Sequence, residues 1–150
     1  MPELALFGFL LHGEDPHQLP LVAAMGVVNA IALTTLIGSI VAGEEKSGGQ
    51  LLLKGLTVWT TNVTAFALVF WELEFRTDKP RFLFPQMDKD AAWRAHFFDY
   101  FYVSFTNSIA FSPTDALPLT REAKLLMLIE SGVSAVAILL VAARAVNIFT

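Results

Sequence analysis

The side chains able to do chemistry are few, and most lie inside runs that are otherwise uncharged. Glu130 stands in the apolar stretch from Leu125 to Asn147, and Arg144 lies fourteen positions later. That spacing is about 21 Å along one helix, too far for the two to pair within it. Thr106, Asn107 and Ser108 close an aromatic-rich segment that leads into Ala110-Phe111-Ser112-Pro113-Thr114-Asp115. Hydroxyl and amide side chains in such a place bond between helices in a membrane. At a helix C-terminus they can also join the backbone carbonyls in facing a cation. Glu130 reads either as an acid that faces a wet vestibule or braces a neighbouring segment, or as one solvated near an interface. Arg144, near the end of its run, suits snorkelling or a gate. Asp115 in Ser112-Pro113-Thr114-Asp115 suits a turn or a helix cap.

Other chemistries find no footing. His12, His17 and His96 share no metal-ligand spacing, and the chain has no cysteine, so neither a metal site nor a disulfide is expected. No nucleophile–base set, phosphate loop or carboxylate pair stands out, so neither an enzyme nor a cofactor is expected. A net charge of −4 without a basic run argues against nucleic acid.

The elements that must position these residues are hydrophobic. Of 150 residues, 55% are hydrophobic and 16% charged, against about 25% charged in an ordinary soluble domain. Mean hydropathy is +0.57. From Gln18 to Gly43 there is no ionisable side chain, and Gly55 to Trp71 is likewise uncharged, with Lys54 placed to snorkel. With the Leu125–Asn147 stretch, these runs are each near the roughly 20 residues that a membrane-crossing helix needs. Residues 43–50, Gly-Glu-Glu-Lys-Ser-Gly-Gly-Gln, read as a short flexible turn that makes the first two helices antiparallel neighbours. Leu4 to Leu11 is too short to cross and reads as an interfacial helix or a tail.

Glu72 to Ala95 mixes charges of both signs and reads as a solvated loop, with Trp71 and Trp93 at the interface. Its apolar centre, Phe82-Leu83-Phe84-Pro85-Gln86-Met87, is expected against the head-group edge. His96 to Phe111 carries one charge, Asp99, and seven aromatics, and Pro113 and Pro118 break the helical pattern beyond it. A half-helix that dips in and returns fits, provided that protein or a wet cavity covers its backbone. Asn62-Val63-Thr64 matches a glycosylation sequon but lies within a span and is set aside. The expectation is one all-α membrane domain over residues 1–150. Transmembrane helices are placed at about 19–42, 51–73 and 122–147, with a re-entrant pore-type half-helix at about 96–114.

This order resembles the pore of tetrameric potassium-channel-like proteins. Tyr102-Val103-Ser104 falls where such pores read Y-F-S, and Asp115-Ala116-Leu117-Pro118-Leu119-Thr120 matches the D-x-x-P-x-T that comes after their filter. Lys124 sits where a basic residue usually opens the inner helix. Glu130 with Val141-Ala142-Ala143-Arg144 is similar to the E…V-A-R pattern of bacterial two-span channels. The likeness runs from about Tyr100 to Val146, and it implies that Asp115 sits at a pore mouth, attracting cations or bonding the pore helix. It implies a homo-oligomer, tetrameric in preference, in contact with lipid and passing an ion or small solute, a monovalent cation among them. A non-conducting structural or accessory protein on the same scaffold is the other reading.

The likeness breaks at the filter. Where the family has T-V-G-Y-G, this chain has Ala110-Phe111-Ser112-Pro113-Thr114. Alternate filter residues need left-handed backbone that glycine adopts cheaply and β-branched Thr114 does not. Pro113 locks its own φ and restricts Ser112. Four stacked carbonyl rings, and with them the usual potassium selectivity, are not expected. Ser134 stands where the inner helix usually has glycine, with Gly132 close by.

The chain also resembles a family of uncharacterised bacterial integral membrane proteins, which places it in the plasma membrane as a multi-pass protein. That likeness rests on Trp59–Asn62, Trp71–Leu73, Phe82–Met87, Phe105–Asp115 and Ala143–Asn147. Orientation is left open. The pore likeness puts the Glu72–Thr120 connection outside. Yet Arg76, Lys79, Arg81, Lys89, Arg94, Arg121 and Lys124 lie on that side, against Lys46, Lys54 and Arg144 on the other, and the positive-inside bias favours the reverse.

Overall fold

A computed structural model of the chain describes residues 19–42, 47–75, 80–90, 92–110 and 116–149. It is mostly helical. The long elements are α1 (Leu19–Val41), α2 (Gly48–Phe75) and, at the other end of the chain, a helix over Arg121–Phe149. Between them lie β1 (Phe82–Leu83), the one-turn α3 (Gln86–Lys89), α4 (Phe97–Ala110) and β2 (Leu117–Pro118). The last long helix is therefore α5.

α2 and α5 are long and apolar enough to cross a membrane, over Gly48–Glu74 and Arg121–Ala143, and α1 carries a shorter apolar stretch, Gly26–Ser39. The core helix of a soluble protein is mostly buried. Here only 33% and 28% of the most apolar part of α2 and α5 is covered by the chain. Leu53, Leu56, Leu125, Leu128 and Leu139 stand more than half exposed. In water such surface is an aggregation hazard; in lipid it is the expected outer face.

α2 is the central helix, packed on α1, α4 and α5. Leu51, Gly55, Val58, Asn62 and Ala65 are buried along one side of it. Ala123, Met127, Glu130, Ser134, Ala137 and Val141 are buried along one side of α5. Both rows alternate steps of three and four, the period that keeps one helical stripe against a neighbour. The stripes meet antiparallel, for Gly55 faces Val141 and Asn62 bonds Ser134.

At Gly55 the helices approach too closely for a side chain. A Cβ there would lie 2.6 Å from Val141 Cγ2. Val141 is β-branched and has little rotamer freedom in a helix with which to move aside. Gly55→Ala is therefore expected to destabilise the fold by about 1–3 kcal/mol. Val141→Ala in the same chain should restore much of the loss, as read by thermal unfolding in detergent. Gly132, with no atom within 4 Å of a built Cβ, should accept alanine freely.

Several local expectations are corrected. α2 begins at Gly48, not Leu51. The Ser47 carbonyl accepts the Leu51 N–H at 3.1 Å and its Oγ faces the Gln50 N–H at 3.5 Å, so the hydroxyl residue caps the helix before the glycines. Of the turn between α1 and α2, residues 43–46 lie outside the described residues. The Glu72–Ala95 segment is not simply a solvated loop. α2 continues to Phe75, and Phe82 and Phe84 are buried in an aromatic core with Phe70, Trp71, Phe97 and Tyr100 instead of resting at an outer edge. Phe82 stacks at 5.4 Å from Phe70 and 6.0 Å from Tyr100, and Phe84 lies 5.5 Å from Tyr100. Burial, with Glu74 and Asp99 nearby, pushes the Tyr100 hydroxyl up, so it stays neutral.

A strand pair with no local sequence signal ties this cap together. Phe82 pairs with Pro118 and Leu83 with Leu117, antiparallel. The Leu119 N–H donates to the Arg81 carbonyl at 2.8 Å, and the Arg81 guanidinium pairs with Glu122. Thr120 then caps α5, its Oγ1 accepting from the Ala123 N–H at 3.2 Å. The chain before α4 is thus fastened to the chain after it.

Candidate functional site

The start of α4 is set by a reciprocal cap. The Asp99 carboxylate accepts the His96 N–H at 2.7 Å, and the His96 carbonyl accepts the Asp99 N–H at 3.0 Å. From there α4 runs for 14 residues. It buries Phe97, Tyr100, Val103, Ser104, Asn107 and Ser108 and turns Phe98, Tyr102, Phe105 and Ile109 outward. The buried set recurs every three or four residues, so one face of α4 meets α2 and α5. That face is aromatic in its first turn and polar in its last two.

The polar part meets α2 and α5 where their apolar stripes are interrupted. Ser104, Glu130, Asn107, Ser134 and Asn62 are all at most 3% exposed. Ser104 Oγ contacts the Val63 carbonyl of α2 at 2.7 Å and also Glu130 Oε1. The Asn107 amide uses both of its hydrogens, donating to Glu130 Oε2 at 2.7 Å and to the Met127 carbonyl at 2.9 Å. The Ser131 hydroxyl donates to the Asn107 carbonyl at 3.3 Å, and the Asn62 amide donates to Ser134 Oγ at 3.0 Å. The cluster thus joins α2, α4 and α5 at one level. A buried polar group left without a partner is costly, so these bonds fix the rotation of α4 as well as its position.

The candidate residues do not all gather here. Glu130, Asn107 and Ser134 do. Thr106 is half-buried and turns back on its own helix, donating to the carbonyls of Tyr102 at 2.8 Å and Val103 at 3.1 Å. The Ser108 hydroxyl does the same with Phe105 at 2.8 Å. Ala110 ends α4, exposed. Phe111, Ser112, Pro113, Thr114 and Asp115 lie outside the described residues, as does the side chain of Arg144. Ser104 and Asn62 join the cluster too, although the sequence marks them only within the Tyr102-Val103-Ser104 and Trp59–Asn62 motifs and not as site candidates. Both were detectable in principle. Ser104 shares the three-and-four spacing of Tyr100, Val103 and Asn107, and Asn62 sits on the stripe begun by Leu51, Gly55 and Val58.

Among the described residues no group of three or more histidines, acids or cysteines could hold a metal ion. The cluster has hydroxyl, amide and carboxyl groups but no activated nucleophile. Its chemistry is to hold a short helix against two long ones. No protein-family model, curated protein or solved structure matches the chain.

Proposed function

We propose that the protein is a channel-like integral membrane protein, passing an ion or small solute through a homo-oligomeric pore, a tetramer in preference, without ordinary potassium selectivity. In this reading α1, α2 and α5 cross the bilayer, and α4 is the re-entrant half-helix between the second and third spans. The observation that carries it is α4 itself. Fourteen residues make about 21 Å of helix, well short of the roughly 30 Å hydrocarbon core. Yet α4 is lodged between the two long apolar helices by a buried polar cluster. Backbone that stops inside a membrane needs protein or water around it, and a ring of copies around a wet pore supplies both. Ser112, Pro113 and Thr114, where a potassium filter has glycines and an aromatic, argue against selective carbonyl rings.

Two measurements test this. Mass determination in lipid nanodiscs is expected to give a closed oligomer. A monomer or dimer would leave no shared axis and end the pore reading. Ion flux from liposomes loaded with potassium or sodium is expected to run at comparable rates. Marked potassium preference would show that the filter argument is wrong, and no flux from a well-folded oligomer would favour a non-conducting accessory role.

A further inference from the structure

We infer that the groove between α2 and α5, on the far side of the polar cluster from the aromatic cap, is a seat for one acyl chain of a membrane phospholipid. The inference rests on the reading that α2 and α5 cross the bilayer, and it needs neither a pore nor conduction.

The cleft between the two long helices is filled unequally. Toward the cap α4 occupies it, with bonds that reach Val63 of α2 and Met127 and Ser131 of α5. The Asn62–Ser134 bond marks the end of that part. Beyond it lies a groove of about 280 Å³, and the described residues that line it all belong to α2 and α5. Gly55, Ala137 and Val141 are buried and form its floor. Leu52, Leu56, Ile138 and Ala142 stand exposed at its rim. Trp59 walls the end toward α4, its ring edge-on to Phe105 at 5.3 Å.

The walls choose the occupant. Every lining side chain is apolar apart from the Trp59 indole nitrogen, which the chain covers. An occupant is offered neither charge nor hydrogen bond, so the part that enters is hydrocarbon. Leu52 and Trp59 are seven positions apart, about 10 Å along the axis. The volume spread over that length suits one chain held at carbon contacts of about 3.5–4.0 Å. A helix from a second copy, about 10–12 Å across with its side chains, could cover such a groove but not fill it. Depth agrees. Counted from Gly48, where the apolar span begins, Leu52 and Trp59 lie about 6 and 16 Å in. Half of a hydrocarbon core of roughly 30 Å is about 15 Å, so the groove covers the depth that one leaflet's chains occupy.

The test is tryptophan quenching in vesicles of phosphatidylcholine mixed with its chain-brominated form. The first protein keeps Trp59 alone, with Trp71→Phe and Trp93→Phe. The second adds Trp59→Phe and Leu53→Trp, a position exposed on α2 outside the groove. Trp59 fluorescence is expected to fall in direct proportion to the brominated fraction, as contact with a single chain requires. Leu53→Trp, open to several chains, should fall more steeply at low fractions. Ala142→Phe, which fills the groove from its rim, should remove most of the Trp59 loss and leave that of Leu53→Trp unchanged. Ala142→Leu should do the same to a smaller degree. If either unfolds the protein, the two loss curves decide alone. A Trp59 curve that follows the Leu53→Trp curve, or that ignores both folded Ala142 variants, overturns the inference. So does a Trp59 left unquenched while Leu53→Trp is quenched, for then a second copy covers the groove. An unquenched Leu53→Trp would mean that α2 does not cross the bilayer, and the seat falls with that reading.

Discussion

Replacing Phe82 by alanine is expected to cost about 3–5 kcal/mol, the range for deleting a fully buried phenylalanine. The size reflects where the ring sits. Phe82 is wholly buried, lies against Phe70 of α2 and Tyr100 of α4, and belongs to the strand that pairs with Leu117 and Pro118. Its loss opens a cavity where the chain before α4 meets the chain after it. Aromatic pairs of this geometry add about 0.5–1.5 kcal/mol beyond area burial, and two are lost together. Leu119, half exposed on the same strap, is the control, and its alanine variant should change stability by no more than about 0.5 kcal/mol. Unfolding in detergent, followed by circular dichroism, checks both. A Phe82→Ala loss below about 1 kcal/mol would mean that the cavity collapses at little cost and that the cap does not fasten α4.

The second large effect belongs to Asn107. Asn107→Leu keeps the branched four-atom side chain but removes both amide hydrogens, leaving Glu130 Oε2 without its donor in a fully enclosed place. An unsatisfied buried polar group costs about 1–3 kcal/mol, and the bond to the Met127 carbonyl goes too. α4 then loses two of its polar links to α5. If the protein conducts, flux should fall with stability. Thr106→Val beside it is the contrast. That hydroxyl bonds only the carbonyls of its own helix, a local bond that adds little to a helix already formed, so stability should stay within about 0.5 kcal/mol. Equal losses at the two positions would mean that the cross-helix cluster is not what holds α4.

The amino-acid sequence by itself determined where the helices lie. Uncharged runs around Leu19–Ala42, Gly55–Trp71 and Leu125–Asn147 stand out because a charge inside an apolar helix is expensive, and α1, α2 and α5 cover them. The short helix α4 was equally legible. Its aromatic density begins after His96, and Pro113 forbids its continuation, both local facts of the chain. The cap was not legible. Phe82-Leu83 reads as an apolar patch among charges until Leu117-Pro118, on the far side of α4, provides its partner. Nor did the sequence say that Ser47 would start α2 three residues early, because capping is decided by one hydroxyl's geometry.

The polar cluster shows the division most clearly. Thr106, Asn107 and Ser108 are alike in sequence, yet only the Asn107 side chain crosses to another helix. A rotation of about 100° per residue separates them, and which of the three faces α5 depends on how α4 is turned. That turn is set by Ser104 on Val63 and by the aromatic rings at the other end of the helix. Glu130 could be read from sequence as vestibule acid, brace or interfacial charge, since each fits the same position on an apolar helix. Only tertiary packing put Ser104 and Asn107 against it. A hydrogen bond is short and directional, so partners distant in sequence become visible only when the helices that bear them are brought together.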